Sequence, residues 1–180
     1  MATLIIDNNL TVRPYQVEEA KELFDIINNS RRHLHPWLNW VDQTTRPEHS
    51  LQFIQQSLHK LNTQDGLDLG IFYDGKIIGG LGMHHWELAT KKAQIGYWLC
   101  QEQEGKGILN KCLVKFVSFL FEKIGLNKIE IHFIPANNRS AKVAQRLGFK
   151  TEGIIRQSII RNGQPADVVI MGLLRSEWNP

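Results

Sequence analysis

Apolar residues recur at two spacings along this chain, and the switches between them mark out its elements. Leu10–Arg13 alternates and predicts a first strand. From Val17 to Asn29 the period lengthens, and Ala20, Leu23, Phe24 and Ile27 share one helical face. The stretch Arg31–Gln43 has no period and holds Pro36, Trp37 and Trp40. A second helix follows. Thr45 and Glu48 have capping-box spacing, Pro47 suits a first turn, and Leu51, Ile54, Leu58 and Leu61 form its apolar stripe.

The middle of the chain turns to strands. Leu67–Tyr73 and Lys76–Leu81 flank Asp74-Gly75, a two-residue hairpin signal, and Ala93–Leu99 is a third apolar run. After Glu104-Gly105-Lys106-Gly107, a wide apolar face of Ile108, Leu109, Cys112, Leu113, Phe116, Val117 and Leu120 predicts a long helix, stopped at Gly125. Lys128–Ile134 reads as a strand and Asn138–Leu147 as a short helix ended by Gly148. Phe149–Arg161 and Gln164–Leu174 read as two strands about an Asn162-Gly163 turn. About seven strands and about four helices interleave, which predicts an α/β fold on one mixed sheet, with residues 1–180 as one domain.

Composition narrows the class. Apolar residues at 42% and charged residues at 22% fit a globular chain and argue against disorder. The net charge of +3 is spread without runs of like charge, so nucleic acid is not expected as a partner. No apolar stretch approaches the ~20 residues of a membrane span, and Met1–Leu10 lacks a signal-peptide pattern. Only Cys100 and Cys112 occur, which suggests a reducing, cytoplasmic setting. The histidines, including the adjacent pair His84 and His85, show no metal spacing, and no metal is expected.

The chemistry concentrates at the junction of strand Ala93–Leu99, loop Cys100–Gly107 and the helix from Ile108. A helix N-terminus presents about four unpaired N–H groups and about half a positive charge. Gly105 and Gly107 would let backbone approach a diphosphate, and Lys106 adds a cation. An ordinary strand-to-helix turn explains the same glycines equally well. A P-loop fits poorly, because Gly105-Lys106 is followed by Gly107 rather than Ser or Thr, and a nucleotide-binding protein is a third, distant reading. The third small residue of a dinucleotide fingerprint is replaced by Asn110.

Three motifs resemble one family. Ile95-Gly96-Tyr97-Trp98-Leu99 followed by Glu104-Gly105-Lys106-Gly107-Ile108 is similar to the acetyl-CoA-binding motif of GNAT acetyltransferases. Asn137-Asn138-Arg139-Ser140, then Arg146-Leu147-Gly148-Phe149 and Glu152-Gly153, resembles the signature of the RimJ/RimL-type ribosomal-protein acetyltransferases, as does Trp37-Leu38-Asn39-Trp40. Glu104 and Leu109 depart from the usual loop, and Glu104 is expected to turn away from the diphosphate.

The resemblance implies a GNAT fold and acetyl transfer from acetyl-CoA to an amine acceptor. It implies a splayed strand whose backbone at Trp98, Leu99 and Cys100 holds the pantetheine arm, with Leu99 N–H facing the oxyanion. The diphosphate would lie on Glu104, Gly105, Lys106, Gly107, Ile108, Leu109 and Asn110, chiefly through their amides. Asn137 would bond the pantetheine arm, Ser140 the leaving sulfur, and Arg139 a phosphate. Helix capping is the competing role for Asn137 and Ser140. Acceptor contacts are expected from Arg31, Trp37, Trp40 and, as a carboxylate, Glu87. The glutamate that relatives carry after Glu-Gly is absent from Arg156-Gln157-Ser158-Ile159. The expected acceptor is a protein N-terminus, with a small-molecule amine or a non-catalytic acyl-CoA-binding domain as alternatives. Transfer is expected to be direct rather than through Cys100, and a homodimer is plausible by the same resemblance.

Overall fold

The computed structural model describes residues 3–63, 65–161 and 163–180. Its frame is an eight-stranded sheet in the order β1-β2-β3-β4-β5-β6-β8-β7. The strands are β1 (Leu4–Ile5), β2 (Leu10–Pro14), β3 (Leu67–Tyr73), β4 (Lys76–Glu87), β5 (Lys92–Leu99), β6 (Lys128–Phe133), β7 (Lys150–Arg161) and β8 (Gln164–Leu174). The strand beyond the expected seven is β1, two residues long, which pairs Leu4 with Val12 and Ile5 with Thr11. So short a segment has no period to read.

The helices are α1 (Ala20–Asn29), α2 (Arg31–Leu34), α3 (Trp40–Gln43), α4 (Pro47–Thr63), α5 (Ile108–Phe119) and α6 (Asn138–Arg146). Of these α2 and α3 are single turns inside the aromatic stretch that shows no period. The expected Thr45–Glu48 box is replaced by another contact. Thr45 N–H donates to His49 Nδ1 at 3.2 Å, because the imidazole one turn on reaches the helix start. In α4 the buried face is Ser50, Ile54 and Ser57, whereas Leu51, Leu58 and Leu61 are only half-buried. Small serines let this helix lie close to the sheet. Among the described residues no helix is long and apolar enough to cross a membrane.

Two apolar layers sandwich the sheet. On one face α1 and α4 bury Leu23, Ile27 and Ile54 against Tyr15, Phe72 and Ile77. On the other α5 and α6 bury Cys112, Leu113, Phe116, Val117, Ala144 and Leu147 against Leu81, Met83, Ile95 and Ile129. The hairpin β3–β4 turns at Asp74 and Gly75, with φ of 49° and 77°. That pair of left-handed residues matches the strand twist, as the Asp-Gly signal predicts. The β7–β8 register closes at Arg161↔Gln164, while Asn162 of the expected turn lies outside the described residues.

One irregularity opens the sheet between β5 and β6. β5 pairs antiparallel with β4 along its length but parallel with β6 only at Lys92↔Lys128, Ala93↔Ile129 and Gln94↔Glu130. Beyond Gln94 the two strands part, and Ile95–Leu99 has a free edge.

Candidate active site

The free edge carries unspent donors. Cys100 N–H donates to Ile78 O at 2.8 Å. Antiparallel pairing alternates direction, so Leu99 N–H, paired opposite Gly79 without a ladder bond, turns toward the gap left by β6. Both Cys100 backbone groups are occupied, since its carbonyl accepts from Gln103 N–H at 3.1 Å. Of the three residues expected to offer backbone to a thioester arm, Leu99 therefore has its amide aimed at the gap and Cys100 does not.

The glycine loop ends in α5. Gly105 and Gly107 both have φ of 73°, and a Cβ added at either would meet no atom within 4 Å. Left-handed backbone explains the residue type, and the open space above it leaves room for a ligand. The first intrahelical bond runs from Lys111 N–H to Gly107 O at 3.1 Å, so the N–H groups of Ile108, Leu109 and Asn110 precede the helical ladder. Asn110 Oδ1 is buried without a protein partner. Lys106 Nζ rests on Gln103 Oε1 at 3.0 Å. Glu104 spends its charge on Arg139 at 2.9 Å and His33 at 3.0 Å. That pairing is how the loop tolerates an acidic residue, and it also gives Arg139 a protein partner.

Across the gap stands the start of α6. Asn137 Oδ1 accepts from Ser140 N–H at 3.1 Å, so Asn137 does cap the helix. Among the described residues nothing engages the Asn137 amide NH₂. Ser140 Oγ lies 2.9 Å from the hydroxyl of Tyr97, which also donates to Ser140 O at 3.2 Å. Burial pushes the Tyr97 phenol up to about 12, although its bond to Ser140 pulls the other way. Tyr97 thus remains a donor at neutral pH. Its position in the Ile95–Leu99 run was visible, but its partner forty-three residues away was not.

On the other face of β5 lies a cavity of about 710 Å³. Its floor is glycine. Gly80, Gly82 and Gly96 line it, and a Cβ on Gly80 would strike Trp98 Nε1 at 2.5 Å and Tyr15 Oη at 2.7 Å. The missing side chains let rings lie flat on the sheet. Trp40 and Trp98 meet edge to face at 6.0 Å between centroids and form one wall. Asp68 and His84 form another. Asp68 is 8% exposed, with Oδ1 at 3.8 Å from His84 Nδ1 and Oδ2 at 3.4 Å from both Lys60 Nζ and Ser57 Oγ. The His84 imidazole is held below its ordinary value by burial, against the opposing pull of Asp68.

Three expected acceptor contacts fall elsewhere. Arg31 donates to Val41 O and Thr44 O, which fixes the segment bearing Trp40 instead of facing the cavity. Trp37 does not line the cavity, although Arg161 holds its neighbourhood by donating to Pro36 O at 3.1 Å. Glu87 sits at the exposed far end of β4, where Lys92 at 3.1 Å and Thr90 at 3.1 Å bind its carboxylate. Of the four, only Trp40 lines the cavity.

The sequence profile of the Acetyltransferase (GNAT) domain family matches residues 9–150. The chain belongs to the GNAT acetyltransferases. Among the relatives of this acetyltransferase is YdaF of Bacillus subtilis (strain 168), named provisionally as a ribosomal N-acetyltransferase. It is 30% identical over 99% of this chain and 98% of its own. The [ribosomal protein uS5]-alanine N-acetyltransferase of Escherichia coli (strain K12) is 25% identical over 96% of this chain and 91% of its own. A crystal structure of the microcin C7 self-immunity acetyltransferase MccE, with acetyl-CoA and AMP, superposes with a TM-score of 0.89 at 28% identity, covering 94% of each chain.

Proposed function

We propose that this acetyltransferase moves the acetyl group of acetyl-CoA directly to the α-amine of a protein N-terminus. The observation that carries the reading is the free edge of β5. Leu99 N–H points into the gap between β5 and β6, Ser140 rests on the hydroxyl of Tyr97, and the aromatic cavity begins at Gly96 and Trp98. A thioester laid along that edge would have its diphosphate at the amides of Ile108–Asn110 and its carbonyl at Leu99 N–H. The amine approaches from the cavity, and negative charge develops on the carbonyl oxygen opposite a preorganised donor. Collapse expels a thiolate, to which Ser140 donates a hydrogen bond that strengthens as charge accumulates. Tyr97 supports Ser140 through its hydroxyl, 2.9 Å from Ser140 Oγ.

Energetics favour an α-amine. With a pKa near ~7.8 it needs about 1 kcal/mol to be neutral at pH 7, against about 4–5 kcal/mol for a lysine near ~10.4. The naming of the uS5-alanine relative points the same way. A small-molecule amine is the second reading. It is favoured by the cavity volume, which suits a drug-sized ligand, and by the resemblance to MccE, whose structure holds AMP.

Mass spectrometry after incubation with labelled acetyl-CoA distinguishes the two. The expected result is label on the first residue of peptides that copy ribosomal-protein N-termini. Label confined to lysine side chains or to free small amines would contradict the first reading.

A further inference from the structure

The acceptor cavity contains a built pair that the transfer steps above leave unused. The carboxylate of Asp68 is almost wholly buried, at 7% side-chain exposure, on β3. Opposite it His84, on β4, places Nδ1 3.8 Å from Asp68 Oδ1. The ring has a dedicated seat. A Cβ on Gly82 would fall 2.4 Å from His84 Nε2, and one on Gly96 would fall 3.7 Å from it. The imidazole therefore lies over the seam between β4 and β5, and Nε2 is next to the residue that precedes Tyr97. Gly82, Gly96, His84 and Asp68 all line the cavity that Trp98 walls.

We infer that His84 is the proton acceptor for the amine substrate and that Asp68 is its positioning residue. The inference rests on the acetyl-transfer reading and supplies the base that reading lacks. The carboxylate oxygen 3.8 Å from Nδ1 favours the tautomer with its hydrogen there, which leaves Nε2, over the glycine floor of the cavity, as the nitrogen with the lone pair. The titratable groups around the ring are Asp68 on β3, Lys60 on α4 and His85 on the same strand. His49 of α4 lines the same cavity, but Thr45 and Arg46 already occupy its nitrogens. Burial outweighs Asp68 and holds the imidazole below its ordinary value, so it is neutral and able to accept at pH 7.

An ammonium entering the cavity gives one proton to His84 Nε2, and the freed nitrogen pair forms the C–N bond. The carbonyl π pair moves to oxygen and returns as the C–S bond breaks. The second proton leaving the nitrogen neutralises the thiolate, and His84 returns its own proton to solvent. A free acceptor amine is thus generated inside the site, which extends the range of usable amines upward in pKa.

The test is steady-state acetylation of an N-terminal peptide across pH by wild type, His84→Ala, His84→Gln and Asp68→Asn, with acetyl-CoA binding by calorimetry on each. Both His84 variants are expected to keep acetyl-CoA affinity and lose about 100-fold in kcat/KM for the peptide. They should also lose the enzyme's own acidic limb. Added imidazole should restore part of the His84→Ala rate, which a purely structural role would not produce. Asp68→Asn removes an anion that holds the His84 pKa up, so its acidic limb should move to lower pH. A His84→Gln enzyme with wild-type rate and pH profile would overturn the inference and leave acetyl transfer standing. A His84→Ala rate that imidazole cannot raise, with acetyl-CoA binding intact, would also overturn it. A wild type that acetylates no amine while binding acetyl-CoA would instead overturn the transfer reading, and this inference with it.

Discussion

The two faces of β5 do their work with different parts of the protein. Toward β6 and α5, the useful groups are backbone. They are Leu99 N–H at the free edge, the amides that open α5, and left-handed glycines with empty space above them. Toward α1 and α4, the useful groups are side chains laid on a floor of glycines, namely Trp40, Trp98, Asp68 and His84. The first arrangement is indifferent to many residue identities, which is why Glu104 can stand in the loop once Arg139 and His33 take its charge. The second depends on which rings and charges fill the cavity. A common carrier suits the former, and a chain-specific acceptor suits the latter.

The comparison breaks most readily at its shared seam. A Cβ on Gly79 would come within 2.4 Å of Trp98 O, a backbone atom that cannot swing away. Gly79→Ala should cost about 2 kcal/mol and lower Tm by about 4–8 °C. It should impair both carrier binding and acceptor turnover, as thermal unfolding and kinetics would show. Ser140→Ala sharpens the contrast on the backbone side. It should reduce kcat by about 10–100-fold with little change in the KM for acetyl-CoA, because its bond strengthens only as the thiolate forms.

Smaller effects test what lies outside the two surfaces. Glu130 is buried at the point where β5 and β6 still pair. Burial disfavours its charge, but bonds from Lys128 at 3.0 Å and His132 at 2.9 Å outweigh that and hold the carboxyl below its ordinary value. A depressed folded value stabilises above the unfolded value near ~4.3 and is lost as pH falls through the folded one. Glu130→Gln should therefore be less stable than wild type at pH 7, and the gap in Tm should close below about pH 4. Glu104→Gln should change acetyl-CoA affinity by less than about threefold, since exposed pairs contribute little. Cys100→Ala should keep nearly full activity. Burial raises the Cys100 thiol above its ordinary value, which opposes thiolate formation and an acyl-cysteine route.

Much of the backbone side was legible in the sequence. Gly105, Gly107 and the apolar face from Ile108 lie within one local stretch, and periodicity and turn chemistry read such stretches well. The Asn137 cap was legible for the same reason. The side-chain surface was not. Asp68 reaches His84 only because β3 and β4 pair in a register that sets Asp68 opposite Gly82. Tyr97 reaches Ser140 across the gap between β5 and α6. Glu87 illustrates the converse error. It is a carboxylate on the right strand, but β4 is longer than its apolar run and a bulge between His84 and Glu87 carries it past the cavity. The same extension brings His84 into the strand, and there the glycines at 82 and 96 were the overlooked signal.

The most direct test is a crystal structure with acetyl-CoA bound. The thioester oxygen should lie at about 2.9 Å from Leu99 N, with the diphosphate at the amides of Ile108–Asn110 and the acetyl group open to the cavity walled by Trp40 and Trp98. A bound carrier that leaves Leu99 N–H without a contact, or that turns its acetyl group away from that cavity, would contradict the account.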